Sequence, residues 1–159
     1  MNNKDMNNKD RFILHAAITA LIMFFIFFQS ALPADLSQGE SGLIVFFLSG
    51  FFKEDPRVLS FAVRKCAHFA EYTVLGLSLR MTVQDLLRRR QGERSAARPA
   101  YVTLLSWCAG TLYAVTDEVH QMLVPGRSCE IRDVLIDSCG VFLGAAILHL
   151  IKKVSGERS

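Results

Sequence analysis

Residues 12–32 contain no Asp, Glu, Lys or Arg, and this stretch restricts the fold more than any other feature of the chain. A helix of about 20 apolar residues crosses the roughly 30 Å hydrocarbon core of a bilayer. Three further apolar blocks follow, at 66–79, 101–116 and 134–151, and their polar interruptions lie near one end. This alternation of long apolar blocks with short charged segments indicates an all-α, polytopic membrane protein with about four transmembrane helices.

The blocks predict a single transmembrane domain at 12–153, between a polar N-terminal tail at 1–11 and a C-terminal tail at 154–159. We expect helices at about 12–32, 59–87, 100–124 and 131–153, because Pro99 suits the first turn of a helix and Pro125-Gly126 ends one. The apolar segment 42–52 is too short to span a bilayer and is predicted to be re-entrant or interfacial. We do not favour a cleaved signal peptide for the first block, because its apolar core is too long.

The distribution of Lys and Arg predicts the orientation of the helices. With both termini in the cytoplasm, 12 of the 18 basic residues lie on the inner side. Positively charged loops stay preferentially on that side of a bacterial cytoplasmic membrane. The basic loop at 88–98 lacks interleaved aromatic residues, so we interpret it as a stop-transfer and lipid-contacting segment rather than a nucleic-acid site. The four cysteines have no C-x-x-C spacing, which is not typical of a structural zinc site.

Polar side chains collect near one end of three of the predicted helices. Helical spacing places them on one face of each helix. They are Arg64, His68, Glu71 and Tyr72 on the second helix, Tyr113, Asp117, His120 and Gln121 on the third, and Asp133 and Asp137 on the fourth. Glu118 is displaced from the Asp117 face by about 100° of helix rotation. In the predicted topology these ends meet at the outer face, where we expect one polar pocket.

The acids of this pocket outnumber the cations available to them. Carboxylates crowded in a low dielectric pair with basic groups, hold a proton or bind a cation. General acid–base chemistry is one use of such groups, with His68, Glu71, Asp117 and Glu118 as candidate catalytic residues. A divalent metal is another, with His68, Glu71, Asp117 and His120 as weak candidate ligands, because their spacing is not H-E-x-x-H. No other cofactor is predicted.

The remaining sequence features concern packing. Gly140 and Gly144 form a G-x-x-x-G pattern that lets another helix approach closely, and this offers a contact for a homo-oligomer. Tyr72 and Tyr113 are expected at the membrane interface. His15 and His149 lie near the inner helix ends, which are mostly apolar, and we treat both as incidental.

Three segments of the chain resemble the signatures of one family. Residues 65–75 read K-C-A-H-F-A-E-Y-T-V-L and resemble the K-x-x-H-F-x-E-Y-x-x-L signature of VanZ-like membrane proteins. Residues 113–127 resemble their second signature, and D-x-x-x-D-x-x-G-x-x-x-G at 133–144 resembles the third, whose second position is Asn or Asp. The resemblance implies an integral membrane protein of the bacterial envelope, of a kind associated with reduced susceptibility to teicoplanin-type glycopeptides.

We therefore expect a pocket that binds or senses a phospholipid head group or a lipid-linked cell-wall precursor, with Lys65 and Arg127 contacting phosphate. Its predicted ligand-binding residues are Lys65, His68, Glu71, Tyr72, Asp117, Glu118, His120, Gln121, Arg127, Asp133 and Asp137. Two alternatives stay open at this point. One is an acid–base enzyme, metal-dependent or not, that acts on a lipid or cell-wall precursor. The other is a small transporter or assembly partner, although a transport path needs polar groups throughout its depth.

Overall fold

The computed structural model describes residues 7–32, 45, 49–50, 55–91, 98–125 and 130–154. They form four long helices, α1 (Asn8–Ser30), α2 (Pro56–Gln91), α3 (Pro99–Gln121) and α4 (Ile131–Val154). The all-α prediction is confirmed, and the ends of the helices lie within four residues of the predicted ones. The predicted re-entrant segment at 42–52 falls almost entirely outside the described residues.

Local sequence accounts for several of the helix ends. Pro99 occupies the first turn of α3, where its missing N–H removes no helical hydrogen bond. The last turn of α2 carries Arg88, Arg89 and Arg90, and positive charge there interacts favourably with the helix dipole. The Arg89 guanidinium also lies 4.8 Å from the centre of the Phe12 ring, so the C-terminal end of α2 is held against the N-terminal part of α1.

α2 packs against all three of the other helices. The centre of the bundle is a small apolar core made of Ile26 from α1, Tyr72 and Leu75 from α2, Ala114 from α3 and Val141 from α4. Elsewhere the surface is strongly apolar: on α1 alone, Leu21, Phe24 and Phe28 are 68%, 66% and 57% exposed. Exposure of this apolar surface to water would be unfavourable, whereas contact with the hydrocarbon chains of a bilayer would not be.

Two of the four helices, α1 and the segment Ile131–Ile151 of α4, are long and apolar enough to cross a membrane. In the apolar, membrane-length stretch of each of these two helices, only 11% of α1 and 33% of α4 is buried inside the bundle. Their apolar side chains therefore face outward, as in membrane helices, rather than into a protein core.

Glycines set the close approach of α2 and α4. A Cβ atom added at Gly140 would lie 2.7 Å from the Phe69 carbonyl oxygen, and one at Gly144 would overlap with the Thr73 carbonyl. The predicted homo-oligomer contact at Gly140 and Gly144 is therefore wrong in its location, because both residues already pack against α2 of the same chain. A second copy would have to bind elsewhere.

A second correction concerns the end of the bundle opposite Asp117, which the sequence analysis describes as mostly apolar. Polar groups from all four helices are buried there. His15 Nδ1 lies 2.6 Å from Asp85 Oδ2, and the Thr19 hydroxyl lies 2.6 Å from that of Ser78 and 2.9 Å from that of Thr82. We call His15, Thr19, Ser78, Thr82 and Asp85, together with the Arg80 group described next, the inner polar layer.

Arg80 is fully buried within this layer. Its Nη1 donates to the Pro99 carbonyl at 3.2 Å and to the Thr103 hydroxyl, and its Nη2 lies 3.3 Å from His149 Nδ1. His15 and His149, which the sequence analysis treats as incidental, therefore contact buried charged groups. The layer ties the ends of the helices together, and within the described ranges Arg80 Nε is its buried polar atom without a hydrogen-bond partner.

Replacing Gly144 with Ala should destabilise the bundle. The added methyl would meet backbone of α2 rather than a movable side chain, so α4 must shift. Overpacking of this kind costs about 1–3 kcal/mol. Thermal unfolding of the purified protein in detergent measures the effect, and Ala109→Val, which adds bulk at an exposed position of α3, is the control. Equal melting temperatures for the two variants would contradict the α2–α4 contact.

Candidate functional site

Asp117 lies near the C-terminal end of α3, is only 2% exposed, and binds groups from two other helices. Its Oδ2 accepts hydrogen bonds from the Ser30 hydroxyl of α1 at 2.8 Å, the Tyr72 hydroxyl of α2 at 3.2 Å and the Gln121 amide at 3.2 Å. The Gln121 amide also donates to the Ser30 hydroxyl at 3.3 Å. We call these four residues the Asp117 cluster. Donors of this kind are what a buried carboxylate requires.

The neighbouring acid, Glu118, is equally buried but faces a different helix. Its Oε2 accepts a hydrogen bond from the backbone N–H of Glu130, just before α4, at 3.1 Å. The rotation of about 100° between consecutive helical residues explains why two adjacent acids serve two interfaces. Asp117 holds the C-terminal end of α3 to α1 and α2, while Glu118 holds the start of α4.

Lys65 and Asp133 form an ion pair between α2 and α4. Both side chains are largely protected from solvent, with 23% and 15% exposure. The Lys65 ammonium also lies 5.1 Å from the centre of the Phe61 ring. Lys65, predicted as a phosphate contact, is therefore partly neutralised by a carboxylate within the chain.

Asp137 lies one turn further along α4 and is 1% exposed. Asp117, Glu118 and Asp133 lie close enough to interact electrostatically with Asp137, so four acidic side chains from two helices lie near one another. Among the residues that the structure describes, Asp137 Oδ2, Asp117 Oδ1 and Asp133 Oδ1 are buried without a hydrogen-bond partner. This group of acids has spare acceptor capacity that the described part of the protein does not use.

The predicted histidine and glutamate positions lie around these acids. The side chain of Glu71 on α2 is partly buried and hydrogen-bonds to Gln29 of α1. The His120 ring stacks on Phe27 of α1, with ring centres 4.2 Å apart, and its buried Nε2 lacks a partner among the described residues. His68 is partly buried on α2.

We call the Asp117 cluster together with Lys65, His68, Glu71, Glu118, His120, Asp133 and Asp137 the polar site. The structure thus brings residues of all three predicted polar faces to one end of the bundle. Arg127, the other predicted phosphate contact, lies outside the described residues.

The two tyrosines, which the sequence places at the membrane interface as an expectation, direct their hydroxyls at groups of neighbouring helices. Tyr72 is fully buried in the apolar core and directs its hydroxyl at Asp117. Tyr113 is partly buried, and its hydroxyl donates to the Met23 carbonyl of α1 at 2.5 Å. Tyr72 therefore connects α2 to α3 and Tyr113 connects α3 to α1, and both are positioning residues for the site.

The candidate metal ligands are distributed over separate contacts. His68, Glu71, Asp117 and His120 do not form a metal-binding group: within the described ranges, no three His, Cys, Asp or Glu side chains are arranged to hold a metal ion. Glu71 instead contacts Gln29, and His120 stacks on Phe27.

The contribution of α1 is the part of the site that the signatures do not contain. Ser30, Gln29 and Phe27 each contact a signature residue on another helix. The sequence indicates this contribution of α1 only weakly, through two polar residues that follow a run of aromatic and aliphatic residues at its C-terminal end.

Replacing Tyr72 with Phe should lower stability without emptying the core, because the ring is kept and only a donor to Asp117 is lost. Loss of a hydrogen bond to a buried charged group costs about 1.5–3 kcal/mol. Thermal unfolding in detergent measures the difference, and Tyr101→Phe, at a half-exposed position of α3, is the matched control. Unchanged stability of the Tyr72 variant would contradict the role assigned to the Asp117 cluster.

Comparison with known families agrees with the arrangement of these residues. The model of the VanZ/LLP1 family matches residues 15–152, which include most of α1 and α4, all of α2 and α3, and every described residue of the polar site. Neither the curated proteins nor the solved structures contain a significant match. The family match covers most of the chain, and the protein therefore belongs to the VanZ/LLP1 family.

Proposed function

We propose that the protein is a four-pass protein of the bacterial cytoplasmic membrane, with both termini inside, whose polar site faces outward. There it binds or senses the head group of a phospholipid or of a lipid-linked cell-wall precursor, and so influences susceptibility to teicoplanin-type glycopeptides. The observation that carries the proposal is the set of buried carboxylate oxygens on Asp117, Asp133 and Asp137 that have no hydrogen-bond partner within the described part of the chain. The orientation follows from the excess of basic residues on the predicted inner side.

Unpartnered buried acceptors are unfavourable and rare in native proteins, where water or a ligand normally satisfies them. Each costs about 1–3 kcal/mol if nothing donates to it. Here three of them lie in one group of acids near the end of an apolar bundle, where a lipid head group would meet the protein. A head group with hydroxyl or amine donors would supply the missing hydrogen bonds.

Basic side chains supply the complementary half of a head-group site. Lys65 lies beside Asp133, and Arg64 Nε is buried without a partner among the described residues. A guanidinium binds phosphate with two parallel hydrogen bonds, so Arg64 is a better phosphate contact than the neutralised Lys65. Arg127 stays a sequence-based candidate for the same role.

The transporter alternative gains support from the inner polar layer, which places polar groups at a second level along the length of the bundle. The apolar residues Ile22 and Leu75 lie between the two polar regions, however, and they belong to or pack against the central core. A path would require this core to open. We therefore favour binding at one end over passage through the bundle.

Replacing Asp137 with Leu should remove the function while preserving the fold. Leu has the same branching as Asp and removes a buried oxygen that has no hydrogen-bond partner among the described residues, so the loss of that oxygen leaves no donor unsatisfied. Asp137→Asn is the matched control because its amide keeps an oxygen acceptor. We expect a susceptible host with the wild type or the Asn variant to show reduced teicoplanin susceptibility, and one with the Leu variant to match the empty vector.

Membrane levels and melting temperatures of all three proteins have to be measured alongside, so that loss of function is separated from loss of protein. Full activity of the Leu variant at equal membrane level would contradict the acceptor role of Asp137. No effect of the wild type on susceptibility would contradict the link to glycopeptides.

A further inference from the structure

A groove of about 410 Å³ runs between α1 and α2. Its floor contains Ile26, which is fully buried, and Ile22, which is partly buried. Phe25 from α1 and Ala70 and Val74 from α2 form its exposed walls. The volume falls within the range of about 300–1,000 Å³ that is typical of small-molecule sites. An apolar groove open to the hydrocarbon region suits a hydrocarbon chain.

The groove is continuous with the polar site at one end. Glu71 is the charged residue among its lining residues, and it hydrogen-bonds to Gln29 and interacts electrostatically with Asp117. Ile26 on the floor belongs to the same core cluster as Tyr72, which donates to Asp117. A molecule lying in the groove would therefore have one end among acids and the rest against apolar side chains.

We propose that the groove holds one hydrocarbon chain of a membrane lipid whose amine-bearing head group lies against Glu71 at the polar site. This inference rests on the proposed function and deepens it by naming the class of lipid. The occupant is an aminophospholipid of the membrane, bound by its chain and its head group together.

The charge of the polar site selects an amine over an anionic head group. Its acids are Glu71, Asp117, Glu118, Asp133 and Asp137. The described cations near it are Lys65, already paired with Asp133, Arg132, already paired with Glu130, and the neighbouring Arg64. Crowded carboxylates in a low dielectric favour a bound cation. An ammonium group offers three hydrogen-bond donors and a positive charge, which suits the Glu71 carboxyl group that lines the groove.

The geometry also explains why α1, outside the signature segments, is needed for the site. α1 supplies both the groove floor, through Ile22 and Ile26, and the Gln29 contact to Glu71. The head-group contacts and the chain contacts therefore come from the same pair of helices. A lipid that makes both kinds of contact should bind more tightly than one that contacts only the groove.

Photocrosslinking of lipids to the full-length protein in nanodiscs tests the proposal. The probes are phosphatidylethanolamine and phosphatidylglycerol that carry the same diazirine-labelled acyl chain, and mass spectrometry maps the labelled peptides. Ala70→Phe fills the groove, and Ala109→Phe, at an exposed position of α3, is the matched control. We expect phosphatidylethanolamine to label residues 21–26 in the wild type and the control, and about tenfold less in Ala70→Phe, because chain contacts are lost.

Glu71→Gln tests the head-group contact separately, and it should reduce labelling by phosphatidylethanolamine to the level of phosphatidylglycerol. Equal labelling by both lipids in the wild type would overturn the amine assignment. Labelling of residues 21–26 that Ala70→Phe leaves unchanged would overturn the groove assignment.

Asp137→Leu, measured in the same experiment, distinguishes failure of this inference from failure of the proposed function. If Asp137→Leu lowers labelling of the protein while Ala70→Phe does not, the polar site binds a head group but the chain lies elsewhere. If neither variant lowers labelling, both the inference and the proposed function are wrong.

Discussion

The buried Asp117 carboxylate is the interaction on which the rest of the structure depends. A carboxylate with 2% exposure at the edge of an apolar bundle is tolerable only where donors surround it. Ser30 and Tyr72 supply such donors from two other helices, so the position of α1 relative to α2 and α3 is fixed at this end. The same arrangement leaves the second Asp117 oxygen unpartnered among the described residues, and it thereby connects packing with the proposed binding of a ligand.

The sequence predicts the four helices well because uncharged blocks of membrane-spanning length have few alternative structures. It also predicts that three polar faces meet, since helical spacing identifies a face reliably. Spacing does not reveal which helix a face contacts. Spacing therefore does not predict that the Tyr72 hydroxyl donates to Asp117, 45 residues away on another helix. The assignment of Gly140 and Gly144 to an oligomer contact is wrong for the same reason.

The inner polar layer could not be predicted from local patterns at all. Thr19, Ser78 and Thr82 are ordinary in apolar helices, and the pairing of His15 with Asp85 joins positions 70 residues apart. The layer shows that both ends of the bundle are fixed by polar contacts, with an apolar core between them. The Asp117 end combines crowded acids with an adjoining groove, which is why we assign binding to that end.

The central claim is that the polar site faces the exterior of the cell, and labelling of single cysteines tests it most directly. The four native cysteines are replaced, and Arg57→Cys at the start of α2 is compared with Arg90→Cys near its end, both at exposed positions. The account predicts that a membrane-impermeant maleimide labels position 57 in intact cells and position 90 only after permeabilisation. The opposite pattern would place the polar site on the cytoplasmic side and contradict the account.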